Sequence, residues 1–370
     1  MQNNKTVCIC GGGGLGHTIA ANISSKGYQV NLLTGHPTQW HNQIEVTDSR
    51  GATIMGHITN ISNRPEDVIP QSNIILLCVP GYLIQQTLRQ IAPFINKGMS
   101  IGSVVCSNGF FWIAQNILSK ENSLFGFQRV PYISRVTEYG KKADLKGYKS
   151  QLKIGGNKNC NLKELASFFS ISLNTPTVTL NHYLEATLTN SNPILHPARI
   201  YGMLSPFTTS SFDKEFLFYE EWDDFSSEIL IKCDEEFQRL LSLLPINQAE
   251  IPSILTYYES VDASSLTQKI RSIEAFKGIK MNMISEKNQF RIDYTNRYFT
   301  EDIPYGLLII KSLADLLQIK TPTIDTVIHW MQNRMNKEYL IGADLIGKDI
   351  QDSGIIQNYN IKTLEELYKL

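Results

Sequence analysis

Three features of the sequence predict an α/β domain on a doubly wound, largely parallel sheet, followed by an all-α domain. Up to about residue 182, short apolar runs alternate with helical stretches, the order that builds a parallel sheet with helices on both faces. The runs are continuously apolar rather than alternating, as strands covered on both sides must be. Beyond His182 a helical apolar period takes over and persists to the C-terminus.

The first strand is read at 6–10, with a helix over 15–26 and a second strand at 29–33. Residues 73–79 (NIILLCV) form a buried strand, followed by a helix at 82–94. A strand at 100–105 leads into a helix at 112–118. The shorter runs 124–130 and 151–154 extend the sheet, and 174–180 is its last piece. Helices are then expected at 229–244, 264–283, 305–317 and 324–335, which draws the domain boundary between residues 182 and 183.

A length of 370 residues fits two domains. With 34 basic against 35 acidic residues and no cationic tract, a nucleic-acid or anionic-membrane partner has no electrostatic footprint. No run approaches 18 apolar residues, so no membrane span is expected. The apolar run at the N-terminus stops after four residues at a glycine, unlike a secretory signal. The six cysteines form no CxxC pair and are read as reduced thiols of a cytoplasmic protein. No metal site and no G-x-S-x-G elbow is found.

Gly11, Gly13 and Gly16 make a G-x-G-x-x-G that follows a strand and opens a helix, the context a dinucleotide-binding turn needs. The first glycine allows the tight turn, the second lets backbone approach a pyrophosphate, and the third lets helix pack on strand. Gly14 and Leu15, at the helix start, join the cofactor-binding set. The first domain, residues 1–182, is therefore a Rossmann-type NAD(P)-binding domain. The second strand ends Leu33-Thr34-Gly35-His36 without the carboxylate that would hold the ribose hydroxyl of NAD. Thr34 and His36 are placed to contact a 2′-phosphate instead, which favours NADP over NAD. Val79 and Pro80, at the end of another strand, bring backbone toward the cofactor; the structural alternative is a simple turn.

Two segments of the second domain carry a resemblance. They are Asn192-Pro-Ile-Leu-His196-Pro197 and Arg297-Tyr-Phe-Thr-Glu-Asp302-Ile-Pro304-Tyr-Gly306. Behind an N-terminal dinucleotide fold, with His17 directly after the third glycine, they resemble the opine dehydrogenases, the octopine/nopaline dehydrogenase family. The resemblance implies reduction by NAD(P)H of an imine formed between a 2-oxo acid and the amine of an amino acid. It implies His196 as catalytic histidine, Asp302 as its paired carboxylate and Arg297 as a binder of a substrate carboxylate. Asn192 is a further candidate for substrate contact, or only a helix cap. The residue chemistry agrees. A histidine is a fitting general acid near neutral pH, a carboxylate on its other nitrogen fixes the tautomer, and an arginine grips a carboxylate in two places. The sequence departs from the family pattern in having Ala198 where many relatives have a second proline, and Ser107-Asn108-Gly109 where an N-P-G turn is common.

On this reading residues 183–370 form a helical substrate and dimerisation domain, the active site lies between the domains, and the chain forms a homodimer. The partners are a 2-oxo acid and an amino acid. Two other readings stay open: a simple 2-oxo acid (ketopantoate-like) or glycerol-3-phosphate-like reductase, whose usual second-domain lysine motif is not found, and a dinucleotide-binding sensor without catalysis. The aromatic, acidic stretch 207–225 is read as packing, with a specificity wall or subunit contact as the alternative.

Overall fold

The computed structural model describes residues 5–209 and 211–369. The chain divides into two compact units after Thr187. That is five residues beyond the boundary read from sequence, because the helix Tyr183–Thr187 packs on the sheet of the first unit.

The first unit contains strands β1 (Thr6–Cys10), β2 (Gln29–Leu33), β3 (Gln43–Thr47), β4 (Thr53–His57), β5 (Asn60–Ser62), β6 (Ile74–Leu77), β7 (Ser100–Val104), β8 (Ser123–Phe127), β9 (Tyr132–Glu138), β10 (Lys142–Tyr148), β11 (Leu152–Gly156) and β12 (Thr177–Thr179). Eight of them make one sheet in the order β12-β11-β8-β7-β6-β1-β2-β5. Its pairings are parallel except β8 with β11. β2 lies on one side of β1 and β6 on the other, so the strand order reverses at β1, where such sheets bind ligands beyond their carboxyl ends. β1 and β6 are buried throughout, which explains their unbroken apolar runs.

A second sheet, β4-β3-β10-β9, was not foreseen. It covers the outer side of the helix Gly14–Ser25, and a Cβ on Gly56 of β4 would lie 2.5 Å from the Cα of Ala21. Sandwiched this way, the helix is buried continuously from Gly16 to Ile23. Its polar side chains are satisfied inside: Thr18 Oγ1 contacts Ser134 Oγ at 2.8 Å, and Asn22 donates to the Thr18 carbonyl.

The second unit is helical, with its main helices at Asn192–Leu204, Asp224–Leu241, Ala263–Ser272, Leu308–Leu316 and Pro322–Arg334. One feature corrects the expectation of helix alone. The helix expected over 264–283 stops at Ser272, where Ile273 turns extended and Gly278 takes φ +71°. A two-stranded hairpin follows, Met283–Glu286 with Gln289–Ile292. Lys287 and Asn288 both have positive φ, the backbone a two-residue hairpin turn requires. Among the described residues no helix is long and apolar enough to cross a membrane.

Candidate active site

The glycine turn of the first unit has the shape of a phosphate cradle. Gly11 has φ +123°, and a Cβ there would strike the Cys78 carbonyl. A Cβ on Gly16 would run into the Gly11 carbonyl, so helix and loop meet at a distance only glycine permits. Gly13 faces open space, with nothing within 4 Å of where its Cβ would stand. The helix that begins at Gly14 has no side-chain cap and no acidic residue in its first turn, so its first amides, those of Gly14, Leu15 and Gly16, are left for an anion. Val79 borders the Gly11 position, and Pro80 precedes the helix Gly81–Ile91 as its N-cap.

Four buried polar atoms in this unit lack a partner among the described residues, and two of them, the Trp40 indole Nε1 and the Asn108 side-chain oxygen, lie in the loops that follow β2 and β7; the others are the Gln115 side-chain oxygen and the Ser172 hydroxyl. Trp40 Nε1, Thr34 Oγ1 and the Tyr139 hydroxyl converge on Gly12. Asn108 lies in the loop beyond β7. A turn cleared of side chains, free helix amides and orphaned polar groups beside the strand ends fit a dinucleotide. Thr34 is buried, and its Oγ1 accepts at 3.4 Å from the His36 amide, while the His36 side chain is exposed. The end of β2 carries no carboxylate. The adjoining edge strand β5 does lead into charges, Arg64 with Glu66 at 2.9 Å and Asp67 accepting from Ser62 at 2.7 Å.

His17 fastens this loop. The Gly140 amide can only donate, so the His17 Nε2 it meets at 2.8 Å must accept, and Nδ1 then donates to the Gly13 carbonyl at 2.9 Å. The β9–β10 turn is thereby tied to the glycine turn. Burial lowers the His17 pKa and favours this neutral form.

The second unit brings His196 and Asp302 together. The helix Asn192–Leu204 opens with Pro193, whose missing N–H costs nothing in a first turn, and is buried from Pro193 to Ile200. Pro197 inside the helix removes the amide that would bond the Pro193 carbonyl. Gly306 lets the segment Ile303–Leu307 approach, since a Cβ there would lie 3.1 Å from the Pro193 Cβ. That segment is a π-type turn, with the Leu307 amide bonded to the Asp302 carbonyl. Asp302 stands at its N-cap position without capping it. Its Oδ2 instead lies 2.7 Å from His196 Nδ1. Nδ1 therefore carries a hydrogen, and in the neutral ring Nε2 accepts from the Tyr219 hydroxyl at 3.0 Å. Both members of the pair are buried. The imidazole also lies against Tyr298 and Phe218, at ring separations of 4.5 and 5.6 Å.

Tyr219 and Arg199 escaped the sequence reading. Arg199, one turn after His196, is fully buried and clamps the stretch 218–226. Its Nε donates to the Phe218 carbonyl, Nη1 to Asp223 and Ser226, and Nη2 to the Glu221 carbonyl. Its guanidinium also lies over the Trp222 ring. The aromatic stretch taken for packing thus delivers a hydroxyl to the histidine. A helical spacing of three between His196 and a buried-face arginine was the only available signal.

Arg297 is exposed at the start of the helix Arg297–Thr300. Among the described residues its guanidinium makes no hydrogen bond or ion pair, and its charge is felt at Tyr219. Asn192 is exposed one turn before His196 on the same helix face. The N-cap position belongs to Ser191, whose hydroxyl contacts the Asn192 side chain at 3.4 Å.

Known protein families match parts of both units. A family model described as NAD/NADP octopine/nopaline dehydrogenase, alpha-helical domain, matches residues 179–335. A second, described as ketopantoate reductase PanE/ApbA, matches residues 7–126. The chain is 26% identical over 405 aligned residues to the opine dehydrogenase of Haliotis discus hannai, covering 100% of each chain. It is 25% identical over 391 residues to the octopine dehydrogenase of Pecten maximus, covering 98% of each. The tauropine dehydrogenase of Arabella iricolor is 25% identical over 392 residues, covering 97% of this chain and 98% of the relative. A solved structure of octopine dehydrogenase in complex with NADH and agmatine matches with a TM-score of 0.88 at 25% identity, over 99% of this chain and 98% of that one. NADP+-bound yersinopine dehydrogenase shares the fold, with a TM-score of 0.68 at 13% identity over 97% and 99% of the two chains.

Proposed function

The chain belongs to the opine dehydrogenase family, and from that premise we propose that it catalyses the NAD(P)H-dependent reductive condensation of a 2-oxo acid with the amine of an amino acid. The observation that carries the proposal is the buried contact of 2.7 Å between His196 and Asp302, in which Asp302 turns to the imidazole rather than capping the segment it precedes. Its relatives' names include opine, octopine and tauropine dehydrogenases.

The nicotinamide, when bound, supplies a hydride. The chain supplies the rest. The amides of Gly14, Leu15 and Gly16 hold the pyrophosphate, beside Gly11 and Gly13, with Val79 and Pro80 bordering the cofactor. Arg297 holds a substrate carboxylate and so orients the reacting carbon. Asn192 adds a polar contact at the start of the helix that carries His196. His196 provides the proton that makes the carbonyl or imine a better acceptor, and Asp302 stabilises the imidazolium. Thr34 and His36, with no carboxylate at the end of β2 and a free indole donor at Trp40, favour NADP over NAD. We place the protein in the cytoplasm as a homodimer.

The match to a ketopantoate reductase model favours a second reading, reduction of a 2-oxo acid without an amine. That match is confined to residues 7–126 of the first unit. A lysine serving that chemistry is hard to find in the second unit. Among its described residues the buried lysine is Lys311, held by Asp315 at 2.9 Å and Asp325 at 3.0 Å. A sensor would have no use for a buried acid pair. Oxidation of NADPH or NADH, followed at 340 nm with pyruvate, 2-oxoglutarate or ketopantoate, each with and without amino acids, decides among these. A requirement for both oxo acid and amine supports condensation. Turnover with the oxo acid alone contradicts it.

A further inference from the structure

We propose that Tyr219 is a further catalytic residue, whose hydroxyl relays the proton from His196 to the substrate. The inference rests on the reductase reading of the second-unit site. His196 has committed Nδ1 to Asp302, so Nε2 is the one nitrogen from which it can deliver a proton. That nitrogen is already bonded to the Tyr219 hydroxyl at 3.0 Å. Nε2 offers one lone pair when neutral and one hydrogen when charged. A substrate atom therefore reaches it only if Tyr219 moves aside or hands the proton on.

Tyr219 is not built to move aside. Its ring is 6% exposed. It stacks on Phe276 at 4.0 Å and 15° and runs parallel to Trp222 within 5°. Its backbone is held by Arg199, through the carbonyls of Phe218 just before it and Glu221 two residues after it. With the backbone held this way, swinging the ring out would strip the stack on Phe276.

The remaining route runs through the phenol. With His196 neutral, the phenol O–H donates to Nε2. With His196 protonated the bond reverses: Nε2–H donates to the phenol oxygen, and the phenol hydrogen is free to point at substrate. In the reductive step the substrate carbon gains a hydride from the reduced nicotinamide. Its imine nitrogen, or a carbonyl oxygen, takes the phenol proton as the phenol O–H bond breaks. The Nε2–H bond breaks in turn and restores the phenol. Imidazole is left neutral beside Asp302, and water reprotonates it. Burial raises the Tyr219 pKa well above the usual tyrosine value, with Tyr298, Tyr258 and Asp302 adding to the rise and Arg297 opposing it. Such a phenol releases its proton only as another arrives.

The test is a proton inventory, kcat against the fraction of D2O, for the wild type and Tyr219→Phe. The relay predicts a bowed curve for the wild type, because two protons are in flight. It predicts that Tyr219→Phe lowers kcat by at least about 100-fold while KM for the oxo acid and quenching of protein fluorescence by the nucleotide stay unchanged. A linear wild-type inventory overturns the relay, and that measurement needs no variant. Turnover of Tyr219→Phe at or above the wild-type level also overturns it, since Tyr219 would then only obstruct Nε2. If the wild type reduces an oxo acid without any amine, the condensation reading fails while the same inventory still judges the relay on the carbonyl oxygen.

Discussion

Asp302 and His196 stand 106 positions apart in the chain, and the Asp302 carboxylate lies 2.7 Å from the His196 Nδ1. The contact sets the tautomer and leaves a negative charge beside a ring that must become positive. Asp302→Asn keeps the shape and removes the charge. Turnover is expected to fall by roughly 10²–10⁴-fold, with nucleotide affinity unchanged. Steady-state kinetics beside a nucleotide titration checks this; a variant within a few-fold of wild type would reduce Asp302 to a structural role.

Removing the imidazole is the blunter form of the same experiment. His196→Ala is expected to bind nucleotide normally and to lose at least about a hundredfold in kcat, the usual general-acid contribution. Wild-type turnover in that variant would remove His196 from the chemistry.

Arg297 has an exposed guanidinium without a partner among the described residues, which suits it to an incoming carboxylate. Arg297→Lys keeps the charge and loses the planar fork. KM for the oxo acid should rise about tenfold or more, with no change in melting temperature or nucleotide affinity. An unaltered KM would assign the carboxylate to another group.

Arg199 works by holding the stretch 218–226 in place from its buried position. Arg199→Leu leaves the Phe218 and Glu221 carbonyls without their donor and should destabilise the fold by about 3–5 kcal/mol. Urea denaturation measures this, and a loss below about 1 kcal/mol would show that the clamp is dispensable.

His17 predicts a pH dependence. Burial lowers its pKa from 6.5, and the Gly140 amide needs Nε2 unprotonated. As pH falls, the unfolded chain takes up this proton before the folded one does. Stability is therefore full above about 6.5 and falls as the pH drops from there toward the lowered native value. The melting temperature of the wild type should drop between about pH 7.5 and about pH 5.5, and His17→Gln should flatten that part of the curve.

The parts of this fold legible in sequence were those set by local pattern. The runs at β1 and β6 are almost wholly apolar because both faces are covered, and the glycine turn shows itself by steric need. Gly306 shows the same logic, since its contact with Pro193 brings Asp302 to His196. The sheet β4-β3-β10-β9 stayed hidden. β9 ends in exposed Arg135, Val136, Thr137 and Glu138, and β3 and β4 bury mainly single residues such as Ile44, Val46 and Gly56. Without a continuous apolar run such strands look like loops. The hairpin at 283–292 was lost to a helical pattern that ends ten residues before it. Tyr219 was beyond sequence reasoning for another reason: its link to His196 depends on the burial of Arg199 and on a stack with Phe276, contacts that no periodicity encodes.

The most direct test of the central claim is the product itself. The protein would be incubated with pyruvate, a mixture of amino acids and reduced nicotinamide deuterated at C4, and the products examined by mass spectrometry. The account predicts a secondary-amine dicarboxylate, equal in composition to oxo acid plus amino acid less water plus two hydrogens, with deuterium on the former carbonyl carbon. Lactate carrying that deuterium, formed equally well without the amino acids, would contradict it.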